Sequence, residues 1–245
     1  MRIGAIIQAR MTSRRLPGKV LAEVHGRPML QYLLERVERC TELDLIVVAT
    51  STDPSDDPIE LFCGERGVDC FRGPLDNVAE RFREAAQRHE LDVFVRLCAD
   101  SPLLDPALID QAVATYRSGG VDLVTNVIGR SFGPGQSVEV ISVAVFAEAV
   151  PHMSRADHRE HVTSYFYDHR KEFRIKAIRG ENDCGDVDFA IDTPRDLERF
   201  RALVAAMDRP HWSYGLAELI ELQRAVAAAA GASIGGSPAD DKGAG

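Results

Sequence analysis

Four cations, Arg10, Arg14, Arg15 and Lys19, crowd into ten residues of a chain that is otherwise acidic, with a formal net charge of -9. A guanidinium fork grips phosphate oxygens two at a time and a lysine adds a compact charge, so such a cluster suits a polyanion. Thr12, Ser13 and the backbone N–H groups of the same segment, Gln8 to Lys19, offer further donors. Any one of these cations reads equally well as a solvated surface charge. The whole set, closed by Pro17-Gly18 and following the first predicted strand, points instead to phosphate binding at a sheet edge. Two common phosphate motifs are excluded by inspection. The segment has no G-x-G-x-x-G run, and against G-x-x-x-x-G-K-[ST] it lacks the first glycine and carries Val20 after Lys19.

Two carboxylates complement the cations. Asp100, in Arg96-Leu97-Cys98-Ala99-Asp100-Ser101-Pro102, and Asp192, in Phe189-Ala190-Ile191-Asp192-Thr193-Pro194, each follow an apolar run that reads as a strand. Carboxylates at strand ends are costly to bury without a cation, whereas Mg2+ takes hard oxygen ligands and leaves positions for water and substrate phosphates. One shared Mg2+ would account for both. Asp192 could equally cap the helix that follows it, and Asp100 could form an Asx turn into Pro102. His158, His161 and His169 lack H-E-x-x-H spacing, and none of the five cysteines forms a C-x-x-C pair.

These groups need a scaffold, and the pattern supplies one. Short β-branched runs at Ile3 to Gln8, Leu45 to Thr50, Val68 to Phe71, Val93 to Leu97 and Leu123 to Thr125 read as strands. Between them, helices are expected from Pro28 to Cys40, Asp57 to Phe62, Asp76 to His89 with Asp76 as cap, and Pro106 to Tyr116. This rhythm predicts an α/β fold with a mostly parallel, Rossmann-like three-layer sheet. After Asn126 the rhythm changes. Strands are expected at Ser137 to Ser142, Phe173 to Ala177 and Val187 to Ile191, with helices over Val143 to Val150 and Arg159 to His169, so a small α+β insertion is placed at about residues 127–180. Thr193-Pro194-Arg195-Asp196 starts a helix through Met207, and a last helix spans Tyr214 to Ala230. One domain over residues 1–230 and a disordered tail over 231–245 complete the expectation.

Composition is that of an ordinary globular enzyme, 45% hydrophobic and 27% charged. The negative balance argues against a nucleic-acid partner. No apolar run suits a signal peptide or a bilayer span, so no membrane partner and a cytoplasmic location are expected.

The run Ile7-Gln8-Ala9-Arg10-Met11-Thr12-Ser13-Arg14-Arg15-Leu16-Pro17-Gly18-Lys19-Val20-Leu21 resembles the signature of cytidylyltransferases that make CMP-activated acidic sugars, such as the acylneuraminate and 3-deoxy-manno-octulosonate enzymes. It is most similar to the branch containing spore coat polysaccharide biosynthesis protein F. The resemblance implies a nucleotidyltransferase fold of GT-A-like type, CTP and a small sugar-like acceptor as substrates, Mg2+, and a homodimer. It further implies that Arg10, Arg15 and Lys19 act on the reacting phosphates, with Gln8, Ala9, Ser13, Arg72, Asp76, Asn77 and Asp100 around the nucleotide. Asp100 matches the metal-binding aspartate of a G-D-x-P turn and Asp192 that of a D-T-P-x-D-L segment. Glu139, Arg159, Glu160 and His161 fall at the acceptor end. Ala99 stands where the family turn has glycine, and Ser137 where related sequences carry Asp in a D-V-E run. A GT-A glycosyltransferase would be expected to show a D-x-D-like pair, which Ala99 and Ser101 around Asp100 do not provide; a non-catalytic nucleotide-binding protein is the other alternative.

Overall fold

The computed structural model describes residues 1–180, 184–229 and 231. In chain order its first half contains β1 (Ile3–Gln8), a short hairpin of β2 (Glu23–Val24) and β3 (Arg27–Pro28), α1 (Met29–Val37), β4 (Leu45–Ser51), α2 (Asp57–Arg66), β5 (Asp69–Gly73), α3 (Val78–Arg88), β6 (Val93–Cys98) and α4 (Pro106–Arg117). Then follow β7 (Leu123–Thr125), β8 (Glu139–Ser142), α5 (Val143–Ala149), α6 (Ala156–Glu160), α7 (Ser164–Asp168), β9 (Ile175–Ala177), α8 (Pro194–Ala205) and α9 (Leu216–Ala229).

Along β1, Ile3, Ala5 and Ile7 enter one core and Ile6 the other, the two-residue alternation of a strand covered on both faces. Seven strands assemble in the order β5-β4-β1-β6-β8-β7-β9, and β8 alone runs antiparallel to its neighbours. Leu30, Leu33 and Leu34 of α1, Ile59 of α2 and Ile109 of α4 cover one face. Val78 and Phe82 of α3, Phe146 of α5 and Phe166 of α7 cover the other. A third cluster joins Leu197, Phe200 and Leu203 of α8 to Leu219 and Ile220 of α9. The architecture is the mostly parallel, layered α/β sheet expected from the alternating pattern. Because β1, β4 and β6 are parallel, their carboxyl ends share one edge. The register sets Gln8 opposite both Ala49 and Cys98, so the segments leaving these three strands lie side by side.

Three local expectations need correction. Val187 to Ile191 is not a strand of the sheet; it runs along the 131–136 segment, with Cys184 N–H donating to Ser131 O at 2.8 Å and Phe189 N–H to Pro134 O at 2.8 Å. The approach is so close that a Cβ on Gly133 would lie 1.8 Å from Val187 O. The helix expected over Arg159 to His169 is two one-turn helices, α6 and α7, broken where Val162 and Thr163 bury their β-branched side chains. Asp76 does not cap α3: Asn77 does, accepting from Glu80 N–H at 3.1 Å. The cap therefore sits one residue later and leaves the Asp76 carboxylate unused by the helix. The tail expected to be disordered lies, from residue 232 onward, outside the described residues.

Arg36 ties α1 to the segment before α9. It is fully buried, its pKa lowered by that burial to about 10, and it donates to Leu104 O at 2.7 Å, to His211 O at 2.5 Å and to Tyr214 O at 2.9 Å. Arg36→Met keeps much of the volume but leaves three buried carbonyls without donors. We expect a loss of roughly 3 kcal/mol or more, lowering the thermal midpoint by about 6–12 °C. Calorimetry checks this, and an unchanged midpoint would mean that water replaces the guanidinium.

Candidate active site

The segment after β1 is held by its own backbone and by one buried carboxylate. Gly18 N–H donates to Met11 O at 2.8 Å, closing the loop, and Gly18 adopts φ 72°, a left-handed conformation that glycine accepts without penalty. Met11 N–H donates to Asp56 Oδ1 at 2.7 Å. Asp56 is fully buried and also accepts from the Ser51 hydroxyl and, at 3.2 Å, from Ser51 N–H. It therefore clamps the cationic loop to the end of β4.

Lys19 is the centre of the site. Only 8% exposed, it donates from Nζ to Asp100 Oδ2 at 3.1 Å, to Asp192 Oδ1 at 2.9 Å and to Ile191 O at 2.8 Å. The two aspartates, ninety-two positions apart in sequence, are joined again where Ile191 N–H donates to Asp100 O at 2.9 Å. Arg15 Nη2 reaches Asp192 Oδ2 at 2.8 Å, and Arg10 Nη2 reaches Glu160 Oε1 at 2.8 Å. The alternative role of Asp192 as a helix cap is taken by its neighbours: Thr193 and Asp196 form a reciprocal capping box at the start of α8.

A cleft of about 770 Å³ opens over these groups. Of the sequence-predicted residues, Gln8, Arg10, Ser13, Arg15, Lys19, Asp76, Asp100, Glu160, His161 and Asp192 line it. Arg14 and Thr12 line it too. Ala9 is buried and does not line it. Arg72, Asn77 and Arg159 are not among the lining residues. Arg72 donates to Ser51 O and Asp53 O and pairs with Asp57 and Glu60, which uses up its fork on the protein itself. Asn77 is spent as a cap, and Arg159 donates to Ser154 O at the surface.

A second cavity of about 390 Å³ adjoins the first and shares Arg96, Cys98, Asp100 and His161 with it. Glu139 lies here. The sheet register places Arg96 directly across from Glu139, and Arg96 Nη1 meets Glu139 Oε2 at 2.6 Å. Tyr167 donates its hydroxyl to Glu139 and lies 2.9 Å from Thr125 Oγ1. Burial, then the Glu139 charge, push the Tyr167 pKa above its ordinary value, so the phenol stays protonated. Burial pushes the Cys98 thiol up to about 11, so a neutral thiol sits at the junction. Sequence reasoning missed Arg96, Tyr167 and Asp56. Arg96 did carry a signal: a charge inside the apolar run Val93 to Leu97 must find a buried partner.

The donor set fits a hard divalent cation. Asp100 and Asp192 offer carboxylate oxygens that already converge on one positive charge, and no group of three or more His, Cys, Asp or Glu side chains among the described residues forms a protein cage. Two carboxylates with the remaining positions left to phosphates and water is the pattern Mg2+ favours.

A profile described as cytidylyltransferase matches residues 4–230. The chain belongs to the cytidylyltransferase family. It is 32% identical over 225 residues to spore coat polysaccharide biosynthesis protein SpsF of Bacillus subtilis (strain 168), covering 89% of this chain and 92% of that one. It is 31% identical to the 3-deoxy-manno-octulosonate cytidylyltransferase of Anaeromyxobacter sp. (strain K), covering 83% and 98%. Among solved structures, a cytidylyltransferase from Leptospira borgpetersenii serovar Hardjo-bovis (strain JB197) superposes with a TM-score of 0.87 at 28% identity, covering 92% of this chain and 94% of that one. Membership of the cytidylyltransferase family makes the chain a nucleotidyltransferase. Ala99 is no obstacle on conformational grounds, because its φ is not positive and its backbone does not require glycine.

Proposed function

We propose that this cytidylyltransferase moves CMP from CTP to a hydroxyl of a small sugar-acid-like acceptor and releases pyrophosphate, with Mg2+, as a cytoplasmic homodimer that feeds surface polysaccharide or glycoconjugate synthesis. The observation that carries the reading is Lys19 bridging Asp100 and Asp192 in a cleft also lined by Arg10, Arg14 and Arg15. The adjoining cavity around Arg96, Glu139 and Tyr167 gives an acceptor room beside the same cleft.

In this reading the acceptor hydroxyl oxygen attacks the α-phosphorus in line and gives up its proton to solvent as the bond to the pyrophosphate oxygen breaks. Arg10 and Arg15 exchange their carboxylate partners for phosphate oxygens, and Lys19, already buried, offsets charge on the bridging and leaving oxygens. Mg2+ held by Asp100 and Asp192 would supply Lewis-acid polarisation of the phosphates when bound. Glu139 and Tyr167 hydrogen-bond acceptor hydroxyls. The SpsF and 3-deoxy-manno-octulosonate relatives support an acceptor of this kind.

The test is pyrophosphate release from CTP, UTP, ATP and GTP against a panel of keto sugar acids and neutral sugars, with and without divalent cation. Release is expected from CTP with an acidic sugar and only with the cation present. A glycosidic product without pyrophosphate, or CTP binding without turnover across the panel, would overturn the proposal.

A further inference from the structure

Arg81 is an ionised side chain in an apolar place. It sits in the first turns of α3 beside Val78, Ala79 and Phe82, is 1% exposed, and its burial lowers its pKa. Nε and Nη2 donate to Pro74 O at 3.0 and 2.7 Å, and Nη2 also donates to Leu75 O at 3.0 Å. Nη1 is buried and finds no partner among the described residues. An apolar side chain would fill this space without the desolvation cost of a guanidinium, so the fork must be there for what it holds.

It holds the 73–77 turn. A Cβ on Gly73 would meet Arg81 Cγ at 2.9 Å and Arg81 Cα at 3.3 Å, so this turn lies directly on α3. Its next residues carry Asp76 into the wall of the cleft and Asn77 into the helix cap. The charges acting on Arg81 come from that cleft's surroundings: Asp56, which clamps Met11 of the cationic loop, and the Arg10–Glu160 pair. In the proposed reading the cations and Asp100 and Asp192 take the triphosphate end, and the cavity at Arg96 and Glu139 takes the acceptor. The wall left for the nucleoside is the one that contains Asp76.

We propose that Arg81 is a positioning residue whose fork on Pro74 O and Leu75 O sets the 73–77 turn and thereby the choice of nucleotide base. This rests on the nucleotidyl-transfer reading above. A lysine cannot hold two carbonyls in one plane, and a shift of about 1 Å in a positioning element can cost up to about 10²-fold.

The experiment is steady-state pyrophosphate release by the full chain and its Arg81→Lys variant, with CTP and UTP varied in turn and folding checked by circular dichroism. In the variant, KM for CTP should rise about 10-fold and the CTP-over-UTP preference in kcat/KM fall about 10-fold, with kcat at saturating CTP within about 3-fold of wild type. A folded variant with unchanged KM and preference overturns the proposal. So does a fall in kcat at unchanged KM, which would put Arg81 on the reacting phosphates. If Arg81→Lys fails to fold, Gly73→Ala decides, because its methyl group meets Arg81 Cγ and wedges the same turn away from α3. The same rise in KM and loss of preference supports the proposal, and wild-type values overturn it. A wild-type enzyme that releases pyrophosphate from no nucleotide removes the underlying reading, and that result precedes any variant.

Discussion

Asp192→Asn is expected to lower cation-dependent pyrophosphate release by about 10³-fold, with Asp100→Asn close behind, since preorganised charge at a reacting phosphate carries effects of this size. Asn keeps the shape of the side chain but removes one anionic oxygen and the charge. In Asp192 both oxygens are in use, Oδ1 by Lys19 and Oδ2 by Arg15, so the substitution disturbs two cations as well as the cation site. The fold should be almost indifferent. The carboxylates of Asp100 and Asp192 are about a third exposed, at 31% and 35%, where solvent screening leaves an ion pair little net weight. The capping box that starts α8 uses Thr193 and Asp196, which neither variant touches. The measurement pairs turnover against divalent-cation concentration with a thermal melt. A rate within a few-fold of wild type at every cation concentration would remove Asp192 from the chemistry.

Much of this fold could be read before any coordinates, because the strands that build the site are central and buried on both faces. A strand such as Ile3 to Gln8 or Leu123 to Thr125 has one use for its apolar alternation, and both fall within the expected bounds. Helix starts were legible where side-chain chemistry is unambiguous, as at Thr193-Pro194-Arg195-Asp196. Val187 to Ile191 misled for a physical reason. Its apolar side chains bury into the α8 and α9 cluster, but its backbone donates to the loop carbonyls of Pro134 and Asp100, with Gly133 allowing the close approach. Periodicity reports burial and is blind to the hydrogen-bond partner.

The site divides along the same line. Cations clustered in one loop, and aspartates at strand ends, announce themselves by local contrast; that Lys19 bridges Asp100 and Asp192 is what the structure adds. Arg72 and Asn77 were candidates because the family resemblance implies them around the nucleotide; the structure turns both toward the protein's own backbone. Asp56 and Arg81 pose the opposite problem. Each looks like a surface residue in sequence, one in an acidic turn and the other in a charged helix, yet each is buried and holds a different wall of the cleft. Positioning residues of this kind act on main-chain groups, and main-chain groups leave no mark on sequence pattern.

Lys19→Met should give the second large effect, and it should move two readouts in opposite directions. Lys19 is the least exposed of the loop cations: its side chain is 9% exposed, against 39% for Arg10 and 65% for Arg15. A charge in a partly desolvated place acts more strongly on a developing phosphate charge than one in water, so its loss should lower turnover by about 10²–10³-fold, more than Arg10→Ala or Arg15→Ala. The same substitution leaves Asp100 and Asp192 facing each other with no ammonium between them, and Ile191 O without its donor. Cation-free protein should therefore melt lower than wild type. Because the ammonium no longer competes for the carboxylates, added Mg2+ should raise the melting temperature of the variant more than that of wild type, as ligand-linked stabilisation requires when affinity for the folded state increases. Equal cation-induced shifts in the two proteins would mean that the ammonium and the cation do not share the two carboxylates, and that the cation site must be sought elsewhere in the cleft.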